Sequence, residues 1–332
     1  MNNKIAVVAT TISGSIKDWG KVKRIVPLFH QYGETDVNLH TVDSHVDARH
    51  ITSELVQSGS NIVISAGGSG TFNAVLEGCF DSGRNLDDLR LGFLRKGSAD
   101  LIGKVLGMPD EIEKAISVFV NAIDRNRVVP CDVIRAVSEG GDSPARRFVG
   151  YGGAELFGRI PHYTENRFIK YYKGLLSQAF GDLGPFFVGT SLAIMEKLLK
   201  TIGRKKRNWK IIADDDLVSQ DYFQSIIIVN GDLGPDLPFA KSEPLGSGKF
   251  YLFAIKDIGA IKLLGQLKHA WNSSIMEEPQ KWGFESFCIE KKLILEPDGA
   301  DVFPVNVDGS TLECRISASF EICDKIHLLS AQ

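Results

Sequence analysis

At 332 residues, with 43% apolar and 24% charged side chains, the chain has the composition of a folded globular protein, neither disordered nor fibrous. At roughly 150 residues per domain, the length argues for two domains. A formal charge of −3 gives no general reason to expect nucleic-acid binding. No apolar run approaches the roughly 18 residues of a membrane span.

The first third alternates strand and helix signals. Residues 5–9 read as a buried strand, too short an apolar stretch for a signal peptide. Residues 17–32 follow at near-helical spacing through Val22, Ile25, Val26, Leu28 and Phe29. Residues 37–42 alternate as a strand and 46–57 read as a helix. A strand at 61–65 then enters a glycine turn and a helix at 72–80. A fourth strand at 89–94 precedes helical patterns at 99–106 and 110–123. Repeated βαβ units of this kind imply a parallel sheet covered by helices on both faces.

Near Val129 the texture changes. Short β-rich segments appear at 147–151, 209–213, 225–229, 249–255, 284–295 and 302–322, separated by Gly, Pro, Asp and Asn, as in an antiparallel sandwich. Helical stretches at 167–180, 191–201 and 258–271 interrupt them. The expected class is therefore α/β: an α/β domain with a mainly parallel sheet over 1–128, then a β-sandwich domain over 129–332. Five scattered cysteines, Cys79, Cys131, Cys288, Cys314 and Cys323, form no Cys-x-x-Cys pair and suit a reducing cytoplasm. Cys79, on the apolar face of its helix, reads as core. The seven histidines show no metal spacing; His45 and His50, five apart, do not share a helical face. No Gly-x-Ser-x-Gly elbow supports a hydrolase.

The most informative segment is Ser65-Ala66-Gly67-Gly68-Ser69-Gly70-Thr71-Phe72-Asn73. A strand feeding a glycine-rich turn that opens a helix turns several backbone N–H groups and the positive helix end toward one point, which suits a phosphate. A tight strand–helix connection that binds nothing is an equal reading of the glycines alone. Neither a Walker loop nor the Gly-x-Gly-x-x-Gly dinucleotide spacing is present.

The segment from Gly67 to Asn73, with Glu77-Gly78 after it, resembles the Gly-Gly-Asp-Gly-Thr-x-Asn-…-Asn-Gly nucleotide loop of the diacylglycerol kinase catalytic family. That family includes bacterial lipid kinases, sphingosine kinases and ceramide kinases. Further resemblances follow in order along the chain. Gly97-Ser98-Ala99-Asp100-Leu101-Ile102 with Leu106-Gly107-Met108-Pro109 is similar to the family's Gly-Thr-Ala-Asn-Asp-Phe-…-Leu-Gly-Ile-Pro. His50 falls where a His-Ala-x-Glu-Leu-like helix is expected. Asn230-Gly231 resembles the end of a second-domain strand, and Asp308-Gly309 the late Asp-Gly-Glu motif.

The resemblance implies a nucleotide-binding domain and a sandwich domain with the active site in a cleft between them. It also implies ATP and magnesium, and a lipid hydroxyl as phosphoryl acceptor. By it, Gly67, Gly68, Ser69, Gly70, Thr71 and Asn73 hold ATP, with Gly97, Ser98 and Thr10 also on the nucleotide side. Asp308 is the base that accepts the hydroxyl proton, and Asp100 a metal partner. Without the resemblance, Asp308 reads as a turn aspartate between two strands, Asp-Gly being a common hairpin signal.

The sequence departs from the family pattern at the proposed site. Ser69 and Ser310 replace carboxylates, Asp100-Leu101 stands where Asn-Asp is usual, and Thr10-Thr11-Ile12-Ser13-Gly14 replaces an Asn-Pro-containing loop. Two alternatives stay open: a non-catalytic lipid-binding relative, and an enzyme that phosphorylates a soluble dinucleotide such as NAD. Residues 159–210 carry eleven Lys/Arg against three Asp/Glu beside apolar and aromatic residues, densest at Arg204-Lys205-Lys206-Arg207 and Trp209. Such a stretch suits peripheral contact with an anionic membrane, the alternative being a solvated loop beside a core helix. The oligomeric state stays open, a homodimer among the options.

Overall fold

The computed structural model describes residues 3–10, 19–95, 101–141, 143–159, 206–271, 273–299 and 301–331. They form two compact units, Met1–Cys131 with Lys325–Gln332, and Asp132–Asp324.

The first unit is α/β. Its strands β1 (Ile5–Thr10), β2 (Val37–Val42), β3 (Ile62–Gly67) and β4 (Arg90–Arg95) lie in the order β2-β1-β3-β4, all parallel. Both β1 and β3 are buried at every residue, which is why they read as unbroken apolar runs rather than alternating ones. Helices α1 (Trp19–Val22), α2 (Ile25–Gln31), α3 (His45–Gln57), α4 (Ser69–Asp81), α5 (Leu101–Val105) and α6 (Ile112–Asp124) connect or follow the strands. On α6 the buried set Ile112, Ala115, Ile116, Phe119 and Ile123 recurs at the three- and four-residue spacing of a core-facing stripe. Gly92 of β4 lets the sheet come close beneath it, since a Cβ there would stand 2.7 Å from the Phe119 ring.

One helix was expected over 17–32, and two short ones form among the described residues. Pro27 gives the reason. It has no N–H to offer the carbonyl of Lys23, and its ring would crowd that carbonyl in a continuous helix. The chain restarts at Ile25 instead, with Pro27 in the first turn of α2, where a missing N–H costs nothing.

The second unit is antiparallel and strand-rich. Its strands are β5 (Val128–Glu139), β6 (Arg146–Phe148), β7 (Tyr151–Glu155), β8 (Asn208–Ala213), β9 (Asp216–Val229), β10 (Phe250–Lys256), β11 (Phe284–Ile289), β12 (Lys292–Pro297), β13 (Phe303–Val307), β14 (Ser310–Cys314) and β15 (Ser317–Leu329). One sheet runs β14-β13-β7-β9-β10-β11 and the other β9-β8-β12-β15-β5-β6. The 14-residue β9 serves both: its first half pairs with β8, its second with β7 and β10. A single core fills the space between, with Trp209, Phe223, Phe250, Phe303 and Phe320 among its largest members. Helices α7 (Ala260–Trp271) and α8 (Pro279–Trp282) lie between β10 and β11 in the chain.

Strands expected over 284–295 and 302–322 are divided by turns into β11–β12 and β13–β14–β15. The chain's end also differs from expectation. Residues Lys325–Gln332 belong to the first unit, where His327 and Leu328 of β15 pair in parallel with Arg90 and Leu91 of β4. The helices expected at 167–180 and 191–201 lie outside the described residues.

Candidate active site

The glycine turn sits at the carboxyl end of β3, the usual place for a ligand in a parallel sheet. Helix α4 starts at Ser69, three residues before the expected Phe72, with Gly68 as an extended N-cap. The Gly68 carbonyl accepts from the Thr71 and Phe72 amides at 3.0 and 3.1 Å, so Ser69, Gly70 and Thr71 form the first turn. The N–H groups of Ser69 and Gly70 then have no acceptor within the helix, and the dipole adds positive potential there.

Gly67 and Gly70 are required for room rather than for left-handed backbone. A Cβ on Gly67 would lie 2.3 Å from Thr71 Oγ1, and one on Gly70 would lie 2.8 Å from His45 Cε1. At Gly68 a Cβ would meet nothing within 4 Å, so this glycine borders open space. Thr71 faces inward. Its hydroxyl and that of Thr10, both fully buried, share a 2.7 Å hydrogen bond that ties the end of β1 to the start of α4. Asn73 is buried as well. Thr10, Gly67, Gly68, Ser69, Gly70, Thr71 and Asn73 are thus brought to one end of the sheet, while Gly97, Ser98 and Asp100 lie outside the described residues.

His45 is a neighbour that the sequence pattern did not reveal. It opens α3, whose N-cap Ser44 accepts from the Asp47 amide at 3.0 Å, and its imidazole lies against Gly70. Only the β2-β1-β3 strand order brings the start of α3 beside the start of α4. His50, by contrast, is 76% exposed and paired with Glu54 one turn on. Glu77, buried on α4, faces Arg49 of α3, which also grips Asp81 through two hydrogen bonds. No group of three His, Cys, Asp or Glu that could hold a metal ion occurs among the described residues. Ser69 brings a hydroxyl to the turn where a carboxylate would bind a divalent ion more strongly.

In the second unit the two remaining motifs meet on one segment, Val149-Gly150-Tyr151. Asp308 sits in a two-residue hairpin between β13 and β14, with φ of 45° at Asp308 and 82° at Gly309. Its carboxylate turns inward. Asp308 Oδ2 accepts from the amides of Val149 (2.9 Å) and Gly150 (3.2 Å), and Oδ1 from that of Tyr151 (2.8 Å). The Asp308 amide donates to the Tyr151 carbonyl. Asn230 supplies the rest: its side-chain Nδ2 donates to the Val149 carbonyl at 2.9 Å and its backbone N–H to that of Gly150 at 3.0 Å. All six backbone polar groups of 149–151 are therefore satisfied by two residues, as buried backbone requires. Burial pushes the Asp308 pKa up, and the three amides oppose that rise.

The described ends of the basic stretch are tied into the fold. Trp209, which follows the basic run, is fully buried between the sheets, edge-on to Phe303 at 5.1 Å. Alternation explains it: Trp209, Ile211 and Ala213 all face the core along β8. Lys206 pairs with Asp257 at 3.2 Å. Residues 160–205 lie outside the described residues.

Residues 4–136 match the family model of the diacylglycerol kinase catalytic domain. Solved structures extend the likeness in fold to both units. A diacylglycerol kinase from Bacillus anthracis str. Sterne has 16% identity and a TM-score of 0.63, covering 99% of this chain and 97% of its own. Two structures from the same organism, named only provisionally as diacylglycerol kinases, have 18% and 17% identity, each with a TM-score of 0.69. They cover 99% of this chain and 95% and 97% of their own. The comparison with curated proteins gives no match. No described helix is long and apolar enough to cross a membrane.

Proposed function

We propose that the protein is a lipid kinase that transfers the γ-phosphoryl group of ATP to a hydroxyl of diacylglycerol or a related lipid, such as a sphingoid base or ceramide. The observation that carries this reading is the catalytic-domain match over 4–136, whose glycine turn presents the Ser69 and Gly70 amides, without an acceptor in the helix, beside an open face at Gly68. Phosphoryl transfer depends chiefly on positioning and on donors for developing phosphate charge. In this reading the first turn of α4 supplies those donors, held in place by the Thr10–Thr71 bond. Gly97 and Ser98 extend the nucleotide side, and Asp308 takes the hydroxyl proton.

Magnesium would be carried mainly by the nucleotide's own phosphates, as is usual for this ion, with Asp100 as the proposed protein ligand. Its part would be to neutralise phosphate charge. The test is transfer of labelled phosphate from ATP into a panel of lipids in mixed micelles, with NAD as a soluble alternative acceptor. A labelled lipid supports the kinase. Labelled NAD alone overturns the lipid reading in favour of a dinucleotide kinase.

Ser69 and Ser310 favour a second reading, a lipid-binding protein on this scaffold without turnover. Its signature would be a lipid that co-purifies with folded protein showing no transfer. Peripheral contact with an anionic membrane, in the cytoplasm, would serve either reading.

A further inference from the structure

We propose that Arg159 and Arg207 of the second unit form a site for a phosphate group, free or terminal on a monoester, distinct from the glycine turn. The two guanidiniums converge on a single carboxylate. Arg159 Nη2 lies 3.9 Å from Glu155 Oε2, and Arg207 Nη1 lies 3.8 Å from Glu155 Oε1. Their side chains are only 18% and 15% exposed, and that of Glu155 is 14% exposed. Among the described residues, two cations and one anion held mostly out of water leave one positive charge in excess, which favours a further anion.

The arrangement is built rather than incidental. Arg207 donates to the Val302 carbonyl at 2.9 Å and packs over the Phe303 ring at 5.9 Å, which fixes its planar head. Glu155 Oε1 also accepts from the indole Nε1 of Trp209 at 3.1 Å, so this carboxylate is pinned at a distance too long for a close pair with either arginine. Glu155 adopts a φ of 59°, a left-handed backbone that a non-glycine residue holds at a cost. Gly158 lets the chain before Arg159 close on β13, since a Cβ there would lie 2.3 Å from the Pro304 carbonyl. Arginine's fork matches phosphate oxygens two at a time, which a lysine cannot do.

Two sources could supply that phosphate, a free ion or a phosphomonoester lipid headgroup. The experiment uses the whole protein and two probes: inorganic phosphate, followed by calorimetry, and vesicles of phosphatidylcholine with or without phosphatidic acid. Vesicles of matched charge containing phosphatidylserine control for general attraction. Arg159→Gln should weaken binding of the responsive probe about tenfold, the loss of one charge-assisted contact. Glu155→Gln keeps an acceptor for Trp209 and removes the competing charge, so it should tighten binding several-fold. Arg159→Lys serves if the glutamine variant does not fold, and should also weaken binding. Phosphate binding that follows these variants assigns a free ion. A response confined to phosphatidic acid vesicles assigns the headgroup. Binding that is absent, or that is indifferent to Arg159 and Glu155, overturns the proposal.

Discussion

Asp308 shows how one side chain can be both structural and a candidate for chemistry. Three backbone amides occupy its two oxygens, so Asp308→Asn would turn an NH2 donor toward at least one amide donor. A buried polar group losing its partner costs about 1–3 kcal/mol. Urea unfolding should therefore show a destabilised Asp308→Asn protein whether or not it is inactive. Lost transfer in that variant alone does not identify the base. The pH profile does: burial raises the Asp308 pKa, so its proton-accepting form is depleted at a higher pH than for an ordinary aspartate. Transfer by the wild type should then fall on the acid side at a pH above the ordinary aspartate range. A rate that stays flat through that range would remove Asp308 as the base.

Asp214 behaves oppositely. In the β8–β9 turn it holds a φ of 53°, and its carboxylate accepts from the amides of Glu290, Lys291 and Lys292. Its partial burial works toward a higher pKa, but the three amides together pull it below the ordinary value. A depressed folded-state pKa adds stability above the unfolded value and loses it as pH falls through the folded one. Asparagine tolerates the left-handed backbone, so Asp214→Asn keeps the turn while removing the charge and one of the two acceptor oxygens, much as protonation does. The variant should be about 1 kcal/mol less stable at pH 7, allowing for partial exposure. The difference should close as urea titrations move below the ordinary carboxylate range. An equal gap at pH 7 and pH 2 would refute this account.

At the scale of elements, the glycine turn owes its shape to how closely α3 packs on α4. A Cβ on Gly78 would stand 2.3 Å from the Arg49 carbonyl and 2.7 Å from Thr52 Cβ. Gly78→Ala therefore sets two effects against each other. Helix propensity favours alanine by about 1 kcal/mol, whereas overpacking at a backbone contact costs about 1–3 kcal/mol. Packing should win, with a lower urea midpoint and weaker nucleotide binding as α3 carries His45 away from Gly70. An unchanged or higher midpoint would mean that the helices separate freely. The same elements show what the sequence could reveal. Strands β1 and β3 were legible because double-sided burial leaves unbroken apolar runs. The start of α4 was not, because glycine's low helix propensity makes Gly68-Ser69-Gly70 read as a turn. Strand β5 is not legible in the sequence because Pro130, Asp132 and Arg135 interrupt its apolar residues, and Pro130 argues against a strand. The motif residues Asn230 and Asp308 were visible, but their shared hold on Val149-Gly150-Tyr151 depends on contacts more than 70 residues apart.

At the scale of the whole molecule, the chain's last residues complete its first unit. Beyond the pairing of His327 and Leu328 with β4, the Ala331 amide donates to the Leu106 carbonyl at 2.9 Å. The Ser330 amide donates to the Arg127 carbonyl, and Arg127 Nη1 returns a bond to the Ala331 carbonyl at 3.2 Å. Local pattern could not assign this stretch, because a strand's apolar residues do not say which sheet will bury them. Without it, β4 would become an edge with exposed N–H and C=O groups, and buried Leu328 and Leu329 would be lost from the core. Losing two such leucines costs about 2–5 kcal/mol each when truncated to alanine, comparable to a domain's whole stability. Truncation after Asp324 should therefore unfold the first unit preferentially. Hydrogen exchange should show the amides of β1, β3 and β4 losing protection while those of β8, β12 and β13 keep theirs. Retained protection in β4 would mean that the parallel sheet stands without its C-terminal strand.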